Sequence, residues 1–150
     1  MSRPKFSLKN DEDERSMFED GGASLWVARR LANFFQRPDL AESLGQCFSR
    51  RINHEQQYDV LPLAVIREMR DTMIAIESAS AGFIDGDYDL FPEHAGLVNA
   101  ENESLFEISS SDTGQKVYNV YASIARMRTL KDYFQQALEL RKEIEYGKYT

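Results

Sequence analysis

The chain has 150 residues, 42% of them hydrophobic and 29% charged, with 25 acidic against 18 basic side chains and a formal net charge of -7. This is the composition of a single soluble domain, long enough to bury about two-thirds of the surface its unfolded chain exposes without a disulfide or metal staple. A lone cysteine, Cys47, excludes an internal disulfide; no apolar run approaches the ~20 residues needed to cross a bilayer, and Met1–Phe6 lacks the apolar core of a signal peptide, so the expected compartment is the cytoplasm and no membrane contact is expected.

Residues 1–22 show no sustained hydrophobic period and end in Gly21-Gly22. They read as a polar, flexible N-terminal tail in which Phe6, Leu8, Met17 and Phe18 are apolar points able to dock on the domain or on a partner. Residues 23–150 then form a single domain. Its first helix is expected to be capped by Ser24 and carries Leu25, Ala28, Leu31, Ala32 and Phe35 at spacings of three and four, ending before Pro38. Asp39 is expected to cap a second helix through Leu40, Leu44, Cys47, Phe48 and Ile52. The polar run Asn53-His54-Glu55-Gln56-Gln57 reads as a connection. A third helix, opened by Asp59 and Pro62, places Leu63, Ile66, Met69, Met73 and Ile76 on one face and stops near Gly82; its other face bears Arg67, Glu68, Arg70, Asp71 and Glu77.

The longest periodic stretch runs from Gln115 to about Tyr146, with Val117, Val120, Tyr121, Ile124, Met127, Leu130, Phe134, Ala137, Leu138, Arg141 and Ile144 stepping by three or four. As one helix it would be about 48 Å long and would overhang a bundle whose other helices span ~20 to 30 Å, which points to a homodimer through 115–146 or to a start that is not helical. The competing reading is a β-hairpin near 104–121, with Leu105–Ile108 facing Val117–Tyr121 across Asp112-Thr113-Gly114, because β-branched and aromatic residues concentrate there. Short helices near Pro92–Val98 and Asn99–Phe106 are the preferred filling of 83–115, since a structureless loop of that length is rare in a compact domain. The expected fold class is therefore mainly α, a bundle of about four main helices.

Charge is shared very unevenly along this layout. Residues 1–22 carry 6 acids and 4 bases, 23–82 carry 7 of each, 83–115 carry 8 acids and no base, and 116–150 carry 4 acids and 7 bases. All seven bases of 23–82 are arginines, suited to bidentate pairing with carboxylates.

Motifs for chemistry are sparse. Asp85-Gly86-Asp87-Tyr88-Asp89 has the alternating oxygen ligands of a calcium loop, but Leu90 and Gly96 stand where the loop requires glycine and a bidentate glutamate. His54 and His94 are far apart and lack metal-ligand spacing with Cys47, which sits on an apolar stripe as a core thiol would. There is no glycine-rich phosphate loop, no Gly-x-Ser-x-Gly elbow and no Ser/His/Asp set. No cofactor and no metal are expected. The last helix combines Arg126, Arg128, Lys131, Arg141 and Lys142 with tyrosines, yet the net charge opposes phosphate binding, and nucleic acid is disfavoured as a partner.

The expected function follows from the charge map. A base-free acidic stretch creates a negative field that steers association with a basic partner and imitates a phosphate array. The chain reads as a small acidic protein-binding protein (an inhibitor, immunity protein, antitoxin or adaptor) that meets a basic protein such as a nuclease through Asp85, Asp87, Tyr88, Asp89, Glu93, Glu101 and Glu103, and not as an enzyme. The alternatives are a metal-dependent or acid-base enzyme assembled from Asp85, Asp87, Glu93 and His94, or a structural oligomerising subunit.

Overall fold

Helical periodicity in the sequence becomes four helices among the described residues. The computed structural model describes residues 5–10, 18, 21–55, 58–84, 107–109, 116–118 and 120–148. Helices α1 (Gly21–Phe34), α2 (Pro38–Ser49), α3 (Leu63–Ile84) and α4 (Val120–Leu140) alternate with strands β1 (Lys5–Leu8), β2 (Ile52–Glu55), β3 (Tyr58–Leu61), β4 (Glu107–Ser109), β5 (Lys116–Tyr118) and β6 (Ile144–Lys148). The fold is mainly α, as expected.

Local chemistry sets the helix ends. Pro38 occupies the first turn of α2, where its missing N–H costs nothing, and Asp39 in the same turn faces the positive end of the helix dipole. Gln36, at φ 61, makes the left-handed turn between α1 and α2, and the Arg37 N–H then donates to the Ala32 carbonyl at 2.8 Å. Arg141, at φ 54, ends α4 in the same way, with the Lys142 N–H donating to the Ala137 carbonyl at 2.9 Å.

The helices run up, down, up, down. Each packs on its sequence neighbour, and α1 also packs on α4 to close the bundle. Cross-helix contacts fix the directions: the Arg29 Nε donates to the Ala41 carbonyl, Ser43 and Thr72 hydroxyls meet, Arg50 pairs with Glu68 and Arg70 donates to Gln135. The buried stripe includes Leu25, Ala28 and Leu31 of α1, Leu44 of α2, Ile66, Met69, Met73 and Ile76 of α3, and Ile124, Met127, Leu130 and Phe134 of α4.

A four-stranded antiparallel sheet, in the order β1-β6-β3-β2, closes one end of the bundle. Leu8, Ile144 and Leu61 form one row across it, and all three are buried. Two positions along the strands Phe6 stands opposite Tyr146, which stands opposite Asp59. The Phe6 ring meets Phe134 at 5.6 Å and Tyr146 at 5.3 Å between centroids. Arg51 ties the β2–β3 hairpin to this cluster: its Nε donates to Asp59 Oδ2 at 2.7 Å and its guanidinium lies 4.6 Å from the Phe48 ring centroid.

Several expectations are corrected here. Residues 5–8 are not part of a flexible tail. They form an edge strand of the sheet, with Phe6 fully buried, and Phe18 closes that edge through two backbone hydrogen bonds to Phe6 of 3.0 and 2.8 Å. The polar run after α2 is not a simple connection, because Ile52–Glu55 pairs with Tyr58–Leu61. Ser24 lies inside α1 instead of capping it, Asp39 lies in the first turn of α2, whose N-cap is Arg37, instead of capping it, and Asp59 lies in β3 instead of opening α3. The last helix begins at Val120 and ends at Leu140, so at 21 residues it matches the 22 of α3 and leaves no overhang from which to argue a homodimer. The preceding stretch contains the hairpin: Ile108 of β4 stands opposite Val117 of β5. The short helices expected near 92–98 and 99–106 lie outside the described residues.

Candidate functional site

The up-down arrangement gives the two ends of the bundle different characters. β1 precedes α1, the β2–β3 hairpin joins α2 to α3, and β6 follows α4, so the sheet takes every connection at one end. Among the described residues the other end holds the α1–α2 turn, the end of α3 and the start of α4. Because α3 and α4 are antiparallel neighbours, the chain leaves at Ile84 and returns at Val120 on the same side of the molecule. That connection holds all but the first two residues of the base-free acidic segment 83–115, and Lys116, in the second strand of the β4–β5 hairpin, directly follows the segment.

Near the root of the connection stands a fork of ion pairs. Glu77 Oε2 accepts from Arg128 Nε at 3.0 Å and from Lys131 Nζ at 2.9 Å. Glu77 lies seven positions before the end of α3, and Arg128 eight positions after the start of α4, so both stand about 10 to 12 Å along their helices from the segment. Partial burial works against the Glu77 carboxylate, but the hydrogen bonds and charges of Lys131 and Arg128 outweigh it and hold its pKa below the ordinary glutamate value. One helix register lower, Arg70 Nη1 donates to Gln135 Oε1 at 2.7 Å. These contacts fasten α3 to α4 along their outer seam.

Elsewhere five carboxylates of the body pair with bases of the body, Asp39 with Arg37, Asp59 with Arg51, Glu68 with Arg50, Asp71 with Arg70 and Glu143 with Lys9, while Glu42 and Glu139 accept from glutamine amides. Such surface pairs stabilise little individually. Their relevance is that they commit bases of the helical body to partners within it.

Of the residues expected to meet a partner, Asp85, Asp87, Tyr88, Asp89, Glu93, Glu101 and Glu103 all lie outside the described residues, as does His94. His54 is placed in β2. Cys47 is buried, as its position on an apolar stripe implies; burial is the main cause pushing its thiol pKa up, with the Glu68 charge adding to it, so its thiolate is suppressed. Among the described residues no group of three or more His, Cys, Asp or Glu side chains is arranged to hold a metal ion, and no helix is long and apolar enough to cross a membrane. The Glu77 fork was not singled out from sequence, although Arg128 and Lys131 at i, i+3 on one helix form a cation pair that calls for a carboxylate. The chain matches no protein-family model, no curated protein and no solved structure.

Proposed function

We propose that this protein is a small protein-binding module that presents its acidic segment 83–115, rooted at one end of a helical bundle, to a basic protein partner. The observation that carries this reading is the segregation of charge: residues 83–115 hold eight carboxylates and no base, and they make up most of a connection that leaves the bundle at Ile84 and re-enters it at Val120 on the same side. Bases of the body that would otherwise compete for those carboxylates are engaged with Asp39, Asp59, Glu68, Asp71, Glu77 and Glu143. A negative patch of this kind raises association rates with a cationic surface and disfavours anionic competitors. An inhibitor, immunity protein, antitoxin or adaptor directed at a nuclease or other nucleic-acid-binding protein fits this chemistry, and it works in the cytoplasm, where a lone thiol stays reduced.

The test is neutralisation of the segment. Asp85→Asn, Asp87→Asn, Asp89→Asn and Glu93→Gln together are expected to abolish capture of the basic protein that the wild-type chain retains, while the melting temperature stays within a few degrees. Undiminished capture by the neutralised chain refutes the proposal.

A further inference from the structure

We infer that the solvent-facing side of α1, built on Trp26 and Arg29, is a docking surface for an acidic protein segment that carries apolar side chains. It has the opposite sign from residues 83–115 and does not rest on the role proposed for them. Trp26, Arg29, Arg30 and Asn33 stand at the i, i+3, i+4 and i+7 positions of one helix face. Leu25, Val27, Ala28, Leu31 and Ala32 of the same helix are buried, whereas Trp26, the chain's single tryptophan, is 42% exposed. The Arg30 guanidinium lies 4.8 Å from the centroid of the Trp26 ring and places a cation over one of its faces. From Gly21 to Pro38 the chain has three arginines and no acidic residue, and the third, Arg37, is taken by Asp39.

Arg29 is held in place by the backbone of the next helix. Its Nε donates to the Ala41 carbonyl of α2 at 3.3 Å, and its guanidinium lies over Gly45, where a Cβ would stand 3.1 Å from Nη2 and 3.2 Å from Cζ. Glycine is unfavourable inside a helix, and Gly45 is the eighth of the twelve residues of α2. What it provides there is a seat for the guanidinium. Arg37, Arg50, Arg51, Arg70 and Arg128 each pair with a carboxylate of the body. Arg29 has no carboxylate partner among the described residues and is exposed, so its fork is oriented without being neutralised and suits bidentate contact with an incoming carboxylate. An exposed tryptophan beside a fixed arginine is the combination that dominates binding energy at protein interfaces, and an acid-free face takes an acidic segment as its complement. Nucleic acid fits less well, because Arg30 already covers one face of the indole and the net charge of -7 repels a continuous phosphate array.

The probe is the peptide Glu-Glu-Leu-Leu-Glu-Glu-Leu-Leu-Glu-Glu, titrated into the full chain at low salt. Its fluorescein-labelled form is followed by anisotropy, and its unlabelled form by the emission of Trp26, which reports on this face alone. Anisotropy and Trp26 emission are expected to change over the same concentration range. Trp26→Ala and Arg29→Gln are each expected to weaken binding about three- to fivefold. Arg67→Gln, which removes an exposed arginine of α3 and changes the net charge equally, is expected to leave it unchanged. Gly45→Leu keeps every charge but fills the seat of the guanidinium, and is expected to weaken binding as much as Arg29→Gln; if Gly45→Leu disrupts the helix packing, Arg29→Gln, altered only at an exposed side chain, carries the comparison. Absence of binding, binding without a change in Trp26 emission, or equal losses for Arg29→Gln and Arg67→Gln overturns the proposal. Tighter binding of oligothymidylate than of the peptide also overturns it, because the face would then be a nucleic-acid surface.

Discussion

Phe6→Ala is the sharpest probe of the fold, because residue 6 lies in a stretch whose sequence reads as a tail. Its side chain is fully buried and its ring touches Phe48, Phe134 and Tyr146, with centroids 6.4, 5.6 and 5.3 Å away. Truncating a buried phenylalanine to alanine costs about 3 to 5 kcal/mol, from lost transfer free energy and the cavity left behind. Against the roughly 5 to 15 kcal/mol that stabilises a typical domain, this is a large fraction. Gly21 supplies an independent check. A Cβ at that position would stand 2.4 Å from Phe6 Cδ2 and 2.8 Å from Cε2 and Cγ, and the ring has no room to retreat among three other aromatic rings. Gly21→Ala should therefore destabilise the wild-type chain strongly and the Phe6→Ala chain little, a coupling readable as a double-mutant cycle in urea denaturation. A loss below about 1 kcal/mol for Phe6→Ala, with additive behaviour of the pair, would show that β1 is not part of the core.

Three further outcomes follow from single groups. Ser7 is buried and its hydroxyl has no hydrogen-bond partner among the described residues, so Ser7→Ala should stabilise the chain by about 1 kcal/mol in the same urea assay; a loss of stability would contradict that environment. Cys47, buried with its thiol pKa raised, should react with a thiol-specific disulfide reagent only after denaturant is added, and rapid labelling of the native chain would contradict the burial. The folded-state pKa of Glu77 is lowered, so its ionised form contributes stability above the ordinary glutamate pKa and loses it as the pH falls through the folded value. The difference in melting temperature between wild type and Glu77→Gln should therefore be largest near neutrality and shrink in acid. A difference that grows in acid would reverse the sign of the argument.

The helices were legible because an α-helix is the regular structure that brings residues three and four apart onto one face, and here the stripe persists over a dozen positions. Pro38 marked the boundary between α1 and α2, but the apolar stripe of the second helix runs on through Ile52, whereas α2 ends at Ser49 and Ile52 begins β2. The sheet was not legible, for a physical reason. Each of its strands has four or five residues, and β1 offers only Phe6 and Leu8 as an alternating pair. Its partner β6 lies more than a hundred positions away, so no local pattern announces the pairing. Ile144 extended the stripe of the last helix although the left-handed turn at Arg141 had already ended it; period alone cannot separate a helix from a strand that re-enters the same core. The hairpin was visible in the β-branched and aromatic content around 105–121, and the observed pairs fall within that window. For the candidate site, composition showed where carboxylates accumulate. It could not show that both ends of the segment converge, or that Glu77 meets Arg128 and Lys131 from a different helix, since both depend on how α3 and α4 pack.

The most direct test of the central claim is an amide-resolved footprint of the full chain, by hydrogen exchange or nitrogen-15 correlation spectra, with and without the captured basic partner. The acidic-docking account predicts that protection and shift changes concentrate in residues 83–115 and at the adjoining ends of α3 and α4, and fade as salt is raised. Changes centred on α1, α2 or the sheet, with 83–115 unaffected, would contradict it.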